Sequence, residues 1–513
     1  MSQDLRQIQT AREAVDQFSY DGLWRLFDGD AEHLNIATEC LDRHPSDTVA
    51  ARLAHADGRY EELSFGELSE LTSRFAHLLV ARGVARGATV GVLMEPSRAF
   101  YTALFGVIKM GAVAVPLYTL FGPQAVRDRL DDCGAELLLV DRERVELARD
   151  LGVEHLLVDG ELIEPLAGQP ARYEPDTASS DLAVLQYTSG TTRQLPDAVR
   201  HDHRSVVTLA RAGLFALGLR AGDRYFCPSS PAWGHGLWHG TIAPWSLGVA
   251  VGAYSGRFST ERLITALREL QITNLAAAST IYRLILDSPR AGELSGLRKA
   301  SYTGEELSSV DQQRFSDATG VSVCGMYGTT ETGVIIVNFP GFTDHEPKAG
   351  ALGKPMPGCT LTVLGDDDEP VPTGATGEIS LWRRGGWFRS KDLGSVDSDG
   401  FYHYLGRADD VIISAGWTIS PLEVERTLLT HPGVRDAAVI GTPDPTRGQI
   451  VTAFLVADRQ DAGFVSEIQE FVQTTLSRHE YPRKVEFLDE LPHTVNGKID
   501  RKTLRNQFAA RVT

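Results

Sequence analysis

The sequence predicts an α/β fold, in which a large N-terminal domain of wound β/α subdomains carries a small β-rich subdomain and precedes a small α+β domain. Three observations predict it. Short apolar runs alternate with amphipathic segments of helical period as far as Ser288, which implies crossover connections and largely parallel sheets. Past Gly358 the texture changes to short strands and tight turns, and from about Asp409 to a mixture of helices and strands. At 513 residues the chain is also too long for one core.

The elements follow in order. Ser64-Phe-Gly-Glu67 is a capping box, and SELTSRFAHLLVARG behind it has helical spacing. ATVGVLME, AVAVPLY and AELLLVD read as strands, with FYTALFGVIKMG and QAVRDRLDDC as the helices between them. The rhythm resumes with DLAVLQY, the helix VVTLARAGLFALGL, GVAVGAY, the helix TERLITALRELQI, TNLAAA and IYRLILDS. TLTVLGDDDEP, GATGEISLW and DSDGFYHYLGR form the β-rich part, and Asp399-Gly400 between apolar runs signals a hairpin. SPLEVERTLLTHPG and SEIQEFVQTTLSR read as helices of the last unit, with DAAVIG and QIVTAFLVA as its strands. The chain divides near GRADD, into residues 1–408 and 409–513.

Composition excludes several classes. The net charge, 50 − 68 = −18, argues against nucleic acid or an anionic membrane surface as partner. Five scattered cysteines, none in a Cys-x-x-Cys pair, fit a reducing, cytoplasmic location and argue against a disulfide framework or structural zinc. The polar N-terminus lacks the apolar core of a secretion signal, and no stretch is apolar enough to span a membrane.

The chemistry-bearing motifs begin at Thr188-Ser-Gly-Thr-Thr192, which follows the strand LAVLQY and precedes a helix expected near Arg204. Such a strand–loop–helix presents backbone N–H groups and hydroxyls to phosphate oxygens, with a helix dipole behind them. Tyr327-Gly-Thr-Thr-Glu-Thr-Gly333 puts two threonines and a carboxylate just after a strand. GWFRSKDLG places Asp392 in a loop, YLGRADD supplies Arg407, Asp409 and Asp410, and LPHTVNGKIDR supplies Lys498 in a Gly-containing turn. A hydroxyl loop, a metal-binding acid, a ribose-binding acid and two cations are what in-line attack on an α-phosphate requires. Glu331 is a suitable hard-oxygen Mg²⁺ ligand and Lys498 a suitable electrostatic stabiliser. His235 and His239 have the spacing of a zinc pair. With no acid between them and no third ligand nearby, pocket-wall or hydrogen-bonded histidines are the preferred reading, and a histidine reaching the substrate stays open.

In that order and spacing these motifs resemble the adenylate-forming superfamily of acyl-CoA synthetases, adenylation domains and luciferases, from SFGELSELTSRFAHLL to LPHTVNGKIDR. KMGAVAVPLYTLFGP, ALGKPMPG, GRADDVIISAGWTISPLEVE and YPRKVEFLDELP are most similar to the medium-chain and benzoate-type acyl-CoA ligases. The resemblance implies ATP, Mg²⁺ and coenzyme A, a small aromatic or medium-chain acid as substrate, and a monomer or homodimer whose C-terminal domain is mobile. It implies that Thr188, Ser189, Gly190, Thr191 and Thr192 grip the β- and γ-phosphates, and that Gly304, Glu305, Glu306, Met326, Tyr327 and Gly328 line the adenine side. Thr329 and Thr330 would face the phosphates, Thr330 at the α-phosphate, with Glu331 on Mg²⁺, Asp392 on the ribose and Arg407 on ribose or phosphate. Asp409 would be the hinge and Lys498 the bridge between carboxylate and α-phosphate. Trp233, Gly234, His235, Thr280 and Gly304 would shape the acid pocket, and Gly416, Trp417 and Arg447 the acceptor channel.

Two departures qualify the likeness. The phosphate loop continues Arg193-Gln-Leu-Pro196-Asp197-Ala198, where the family has a lysine and no acid, while the usual Thr-Gly-Asp is Ser390-Lys391-Asp392. Lys391 or Arg193 is therefore a candidate for the missing charge. Thr418, Gln473 and Glu480 stand where the sub-family presents cations to the CoA nucleotide. The acceptor is thus CoA or, alternatively, an amine, the latter including activation of nitrite by a diazotase.

Overall fold

In the computed structural model the described residues are 4–159, 166–187, 198–304, 307–329, 331–408, 410–414, 417–444, 446–476, 480–493 and 499–512, with the side chains of 413, 417, 418 and 509–512 set aside.

Four sheets organise the chain. In the six-stranded sheet the order is Glu154–Leu157, Leu137–Val140, Thr89–Leu93, Val113–Pro116, Leu182–Tyr187 and Ala198–Asp202, and every neighbour is parallel except the last pair. The nine-stranded sheet is parallel in its middle, from Val323–Thr329 through Lys299–Thr303, Asn274–Ala278, Arg224–Phe226 and Ala250–Tyr254 to Val49–Ala54. Antiparallel strands finish both of its edges, as the alternating rhythm with turn-bounded ends requires. A four-stranded antiparallel sheet runs Leu361–Leu364, Gly377–Arg383, Gly386–Val396, Tyr402–Arg407. The fourth sheet, of five strands, is built on the hairpin Val434–Asp444 and Gly448–Ala457.

Helices cover the parallel sheets because their apolar stripes demand it. Phe65–Ala81 opens with both halves of the expected capping box. It packs on Arg98–Lys109, a helix buried on nearly every face. The two approach so closely that a Cβ on Gly106 would lie 2.7 Å from the Phe75 ring. Lys109 ends that helix fully buried, and is satisfied by Asp42 at 2.7 Å and the Ser73 hydroxyl at 3.1 Å.

Three sequence expectations change. The helix near Arg204 does begin at Ser205, but the strand Ala198–Asp202 stands between it and the 188–197 loop. Tyr187 pairs with Ala198, so the loop closes an antiparallel hairpin and no helix dipole lies directly behind it. Asp392 lies within the strand Gly386–Val396 rather than in a loop, because its neighbours alternate inward and outward like any strand. The helix Arg501–Val512 follows LPHTVNGKIDR without having been anticipated; its apolar positions, Leu504 and Phe508 among them, are too few for a periodic signal. Among the described residues no helix is long and apolar enough to cross a membrane.

Candidate active site

Three of the four sheets bring their strand ends to one place. Leu182–Tyr187 contributes Gln186 from the six-stranded sheet, and Lys299–Thr303 and Val323–Thr329 contribute Gly304 and Tyr327 from the nine-stranded sheet. Gly386–Val396 and Tyr402–Arg407 contribute Asp392 and Arg407 from the antiparallel sheet. A crevice beyond the carboxyl ends of parallel strands is where open α/β sheets bind ligands.

The centre of the cluster is Asp392, 5% exposed. One carboxylate oxygen accepts from Arg407 Nη1 at 3.0 Å, and the other accepts from the Tyr327 hydroxyl. Strand register makes this possible, since Asp392 and Arg407 are direct cross-strand partners. The Asp392 backbone N–H donates to Ser390 Oγ at 3.1 Å, which fixes the preceding turn of chain. Burial, reinforced by the Asp392 charge, pushes the Tyr327 hydroxyl far above its ordinary value, so it acts here as a donor only. Arg407 keeps more than a third of its side chain in solvent, at 37% exposed. The pair thus offers a buried acid under a partly open cation.

Glu331 stands at the rim on a tight turn. Thr329 N–H donates to Thr332 Oγ1 at 3.0 Å, and Glu331 N–H to Thr329 Oγ1 at 3.3 Å. The Thr329 hydroxyl holds the exposed Glu331 carboxyl below its usual range, with the charges of Arg407 and Arg383 adding to it and partial burial opposing. An ionised, exposed carboxylate of this kind fits one hard-oxygen ligand of Mg²⁺, whose other sites phosphates and water would fill. Gly328 is dictated by packing: a Cβ there would sit 1.9 Å from the Gly333 carbonyl oxygen.

Arg383 is a neighbour that the sequence did not single out. Its Nη1 donates to the Glu331 carbonyl at 2.8 Å, and its guanidinium lies 3.6 Å from the centre of the Phe388 ring. It occupies the end of the strand Gly377–Arg383, at a tight hairpin whose residues Arg384 and Gly385 both have positive φ. The only signal was the short GEISLW-to-GGWFRS segment, which brings that hairpin to the rim.

Lys391, beside Asp392, has φ +62° and an exposed side chain. A lysine in the left-handed region is uncommon. This backbone conformation accounts for glycine at the corresponding place of the motif it resembles.

On the other side of Gly304 lies an aromatic and imidazole wall. Gly304 has φ +93°, and a Cβ on it would come 3.9 Å from the Trp233 ring end. Gly234 precedes a π-helical segment, His235–Ile242, that carries His235, Trp238 and His239. The wider π turn puts the two imidazoles 5.8 Å apart, centre to centre. Among the described residues no group of three or more metal-ligating side chains forms, so the wall is not a zinc site there. Thr280 opens the second turn of residues beyond the strand Asn274–Ala278, half-buried near the start of the helix Ser279–Asp287.

The remaining sites are distributed. Met326 is buried one residue before Tyr327, and its carbonyl accepts from Thr303 Oγ1 at 3.3 Å. Arg447 is half-buried in the turn of the C-terminal hairpin, its N–H donating to Asp444 Oδ1 at 2.8 Å. Trp417 begins the edge strand Trp417–Ile419 of the same sheet. Thr188 to Thr192, Arg193, Glu305, Glu306, Thr330, Asp409, Gly416 and Lys498 lie outside the described residues.

The sequence of residues 38–387 matches the AMP-binding enzyme family, and 423–498 its AMP-binding enzyme C-terminal domain. An acetyl-coenzyme A synthetase of Bacillus subtilis is 30% identical, the match covering 92% of this chain and 90% of the relative. The mitochondrial acyl-coenzyme A synthetase ACSM3 of Mus musculus is 29% identical over 93% of this chain and 91% of its own. Among solved structures, an anthranilate CoA ligase in complex with anthranoyl-AMP superposes with TM-score 0.84 at 28% identity, covering 96% of this chain and all of that one.

Proposed function

This chain belongs to the AMP-binding enzyme family and is an AMP-forming acid ligase of the acyl-CoA synthetase type, and from that premise we propose the following reaction and division of labour. A small carboxylic acid attacks the α-phosphorus of ATP through a carboxylate oxygen, and pyrophosphate leaves. Coenzyme A then attacks the acyl carbonyl through sulfur, forming the thioester and releasing AMP.

The observation that carries the reading is the Asp392–Tyr327–Arg407 cluster beside Glu331. A ribose presents two adjacent hydroxyls, and a buried, permanently ionised carboxylate is a strong acceptor for them. The Tyr327 and Arg407 contacts hold Asp392 ready until the nucleotide arrives. Arg407 is the half-open cation that faces the phosphate side, and Glu331 holds Mg²⁺ on the same side. The family resemblance adds Thr188 to Thr192 and Thr330 at the phosphates, Lys498 at the reacting oxygens, and a boundary after residue 408 with Asp409 as hinge. Preorganised charge of this kind acts mainly on the transition state, where negative charge spreads over the α-phosphate oxygens.

A second acceptor is favoured by one feature of the C-terminal unit. Glu480 lies close enough to raise the Glu423 carboxyl further after burial has raised it, so the surface there is acidic. Together with Thr418 and Gln473 it disfavours the polyphosphate end of CoA, and an amine is the alternative acceptor, with a small inorganic acid such as nitrite as one substrate that fits it. The test is to incubate enzyme, ATP, Mg²⁺ and a panel of acids, then identify nucleotide products with and without CoA or amines. AMP and pyrophosphate are expected, with no turnover without Mg²⁺; ADP and phosphate overturn the proposal. A thioester at low micromolar CoA removes the amine alternative.

A further inference from the structure

The acid side of the crevice contains polar atoms with nothing to bind. Gln186, 4% exposed, uses its amide oxygen to accept the Trp238 indole N–H at 3.0 Å, but its amide nitrogen is buried without a hydrogen-bond partner among the described residues. His235, also 4% exposed, has Nδ1 3.0 Å from Ser229 Oγ, while its Nε2 is buried and unpartnered. His239 Nδ1 is in the same condition. These three atoms come from one helical segment and from the strand beneath it. The wall they form adjoins Trp233, whose ring centre is 6.0 Å from that of His235 and whose far edge lies over Gly304.

A buried polar atom left unsatisfied destabilises the fold, and native proteins keep few of them without a reason. Three beside one crevice are best explained by a ligand that completes them. Burial pulls the His235 imidazole down to about 3 and that of His239 to about 4, so both are neutral at physiological pH. Neutral imidazoles and an amide offer hydrogen bonds but no countercharge. They suit a hydroxyl, amino or carbonyl-type group and not a second carboxylate or a phosphate, whose desolvation would go uncompensated.

We propose that Gln186, His235 and His239 form a subsite that reads a neutral hydrogen-bonding group on the acid, so that the substrate is a small polar acid rather than an aliphatic or plain aromatic one. The proposal rests on the reading of the chain as an acid-adenylating enzyme. A site built around hydrogen bonds rejects the analogue lacking them strongly, whereas an apolar pocket discriminates shape only weakly.

The test uses the full-length enzyme and acids matched in shape: 3-hydroxypropionate against butyrate, and 3-hydroxybenzoate and 3-aminobenzoate against 3-methylbenzoate. Two readouts run in parallel, pyrophosphate exchange into ATP and the thermal shift that each acid produces. The polar member is expected to lead by at least about tenfold in kcat/KM, and to give the larger shift. Equal or reversed preference in both readouts overturns the subsite. Larger shifts with polar acids but no exchange with any acid support the subsite and strike the adenylation reading instead. His235→Phe should bring the polar-to-apolar ratio towards one, chiefly by improving the apolar acid. His239→Phe makes the same test where the first variant folds poorly. An unchanged ratio in a folded variant overturns the proposal.

Discussion

Lys391 holds its backbone at φ +62°, a region that costs an L-residue about 1–2 kcal/mol, and it does so one residue from the buried Asp392. Its N–H donates to Glu378 Oε1 at 2.6 Å and its carbonyl accepts from Ala408 N–H at 2.9 Å, so the surrounding strands enforce the conformation. Two substitutions separate backbone from charge. Lys391→Gly should raise the melting temperature, because the left-handed conformation becomes free of strain, by about 1 kcal/mol in stability. If the ammonium meets the nucleotide phosphates, Lys391→Gly and Lys391→Ala should both raise the KM for ATP by up to about fivefold, the range of one exposed ion pair. Stability rising with ATP kinetics untouched would show the lysine to be merely tolerated and leave Arg193 as the candidate for the lost loop charge. Arg383 belongs beside it at this scale, as a cation already fixed by a ring and a carbonyl next to Glu331.

The last helix, Arg501–Val512, is anchored through its first residue. Arg501 Nη2 donates to both oxygens of Glu425 at 2.7 Å, and Glu425 Oε1 also accepts the Val439 N–H at 2.7 Å. Glu425 is 4% exposed. Arg501→Ala should therefore cost about 3–5 kcal/mol, most of it from stranding a buried carboxylate, while Arg501→Met with Glu425→Gln should cost much less. Urea denaturation of the two variants decides it; equal losses would mean that packing, not the ion pair, anchors the helix. None of this was legible in the sequence, where Arg501 reads as one more polar residue and its partner is 76 positions away. What was legible was what repeats locally. The capping box at Ser64, the alternation of strand and helix, and the switch of texture at Gly358 all surface in the structure as expected. The site divides the same way. Tyr327, Glu331, Asp392 and Arg407 sit in motifs and were found, whereas Arg383 reaches the rim only through a hairpin. Gln186 shows itself in LAVLQY only as a polar residue ending an apolar run, and its exposure to the crevice depends on Trp238 from another sheet.

Three sheets meeting at one crevice, with a fourth carrying the C-terminal unit, give the whole molecule two levers. One is the placement of Lys498: Lys498→Ala should slow adenylate formation on the order of 10²–10³-fold and leave thioester formation from supplied adenylate nearly unchanged. An equal loss in both steps would remove the account in which the C-terminal unit rotates between them. The other lever is pH. Burial lowers His44, His201, His203, His239 and His345 to about 4 and His235 to about 3. Each is neutral when folded, yet takes up a proton below about 6.5 when unfolded. Between pH 6.5 and about 4 the unfolded chain therefore binds more protons, and stability must rise with pH across that window. Glu425 works in the opposite direction, since burial against its arginine raises its carboxyl to about 7, but it is one group against six. A fully buried histidine contributes up to about 1.4 kcal/mol per pH unit inside the window. The urea midpoint should accordingly fall steadily from pH 7 to pH 4.5, and His235→Phe should make the fall shallower by removing one of the six. A midpoint that stays level or climbs as the solution is acidified would mean that these imidazoles reach water in the folded chain, and with it the neutral wall beside Gly304 would be gone.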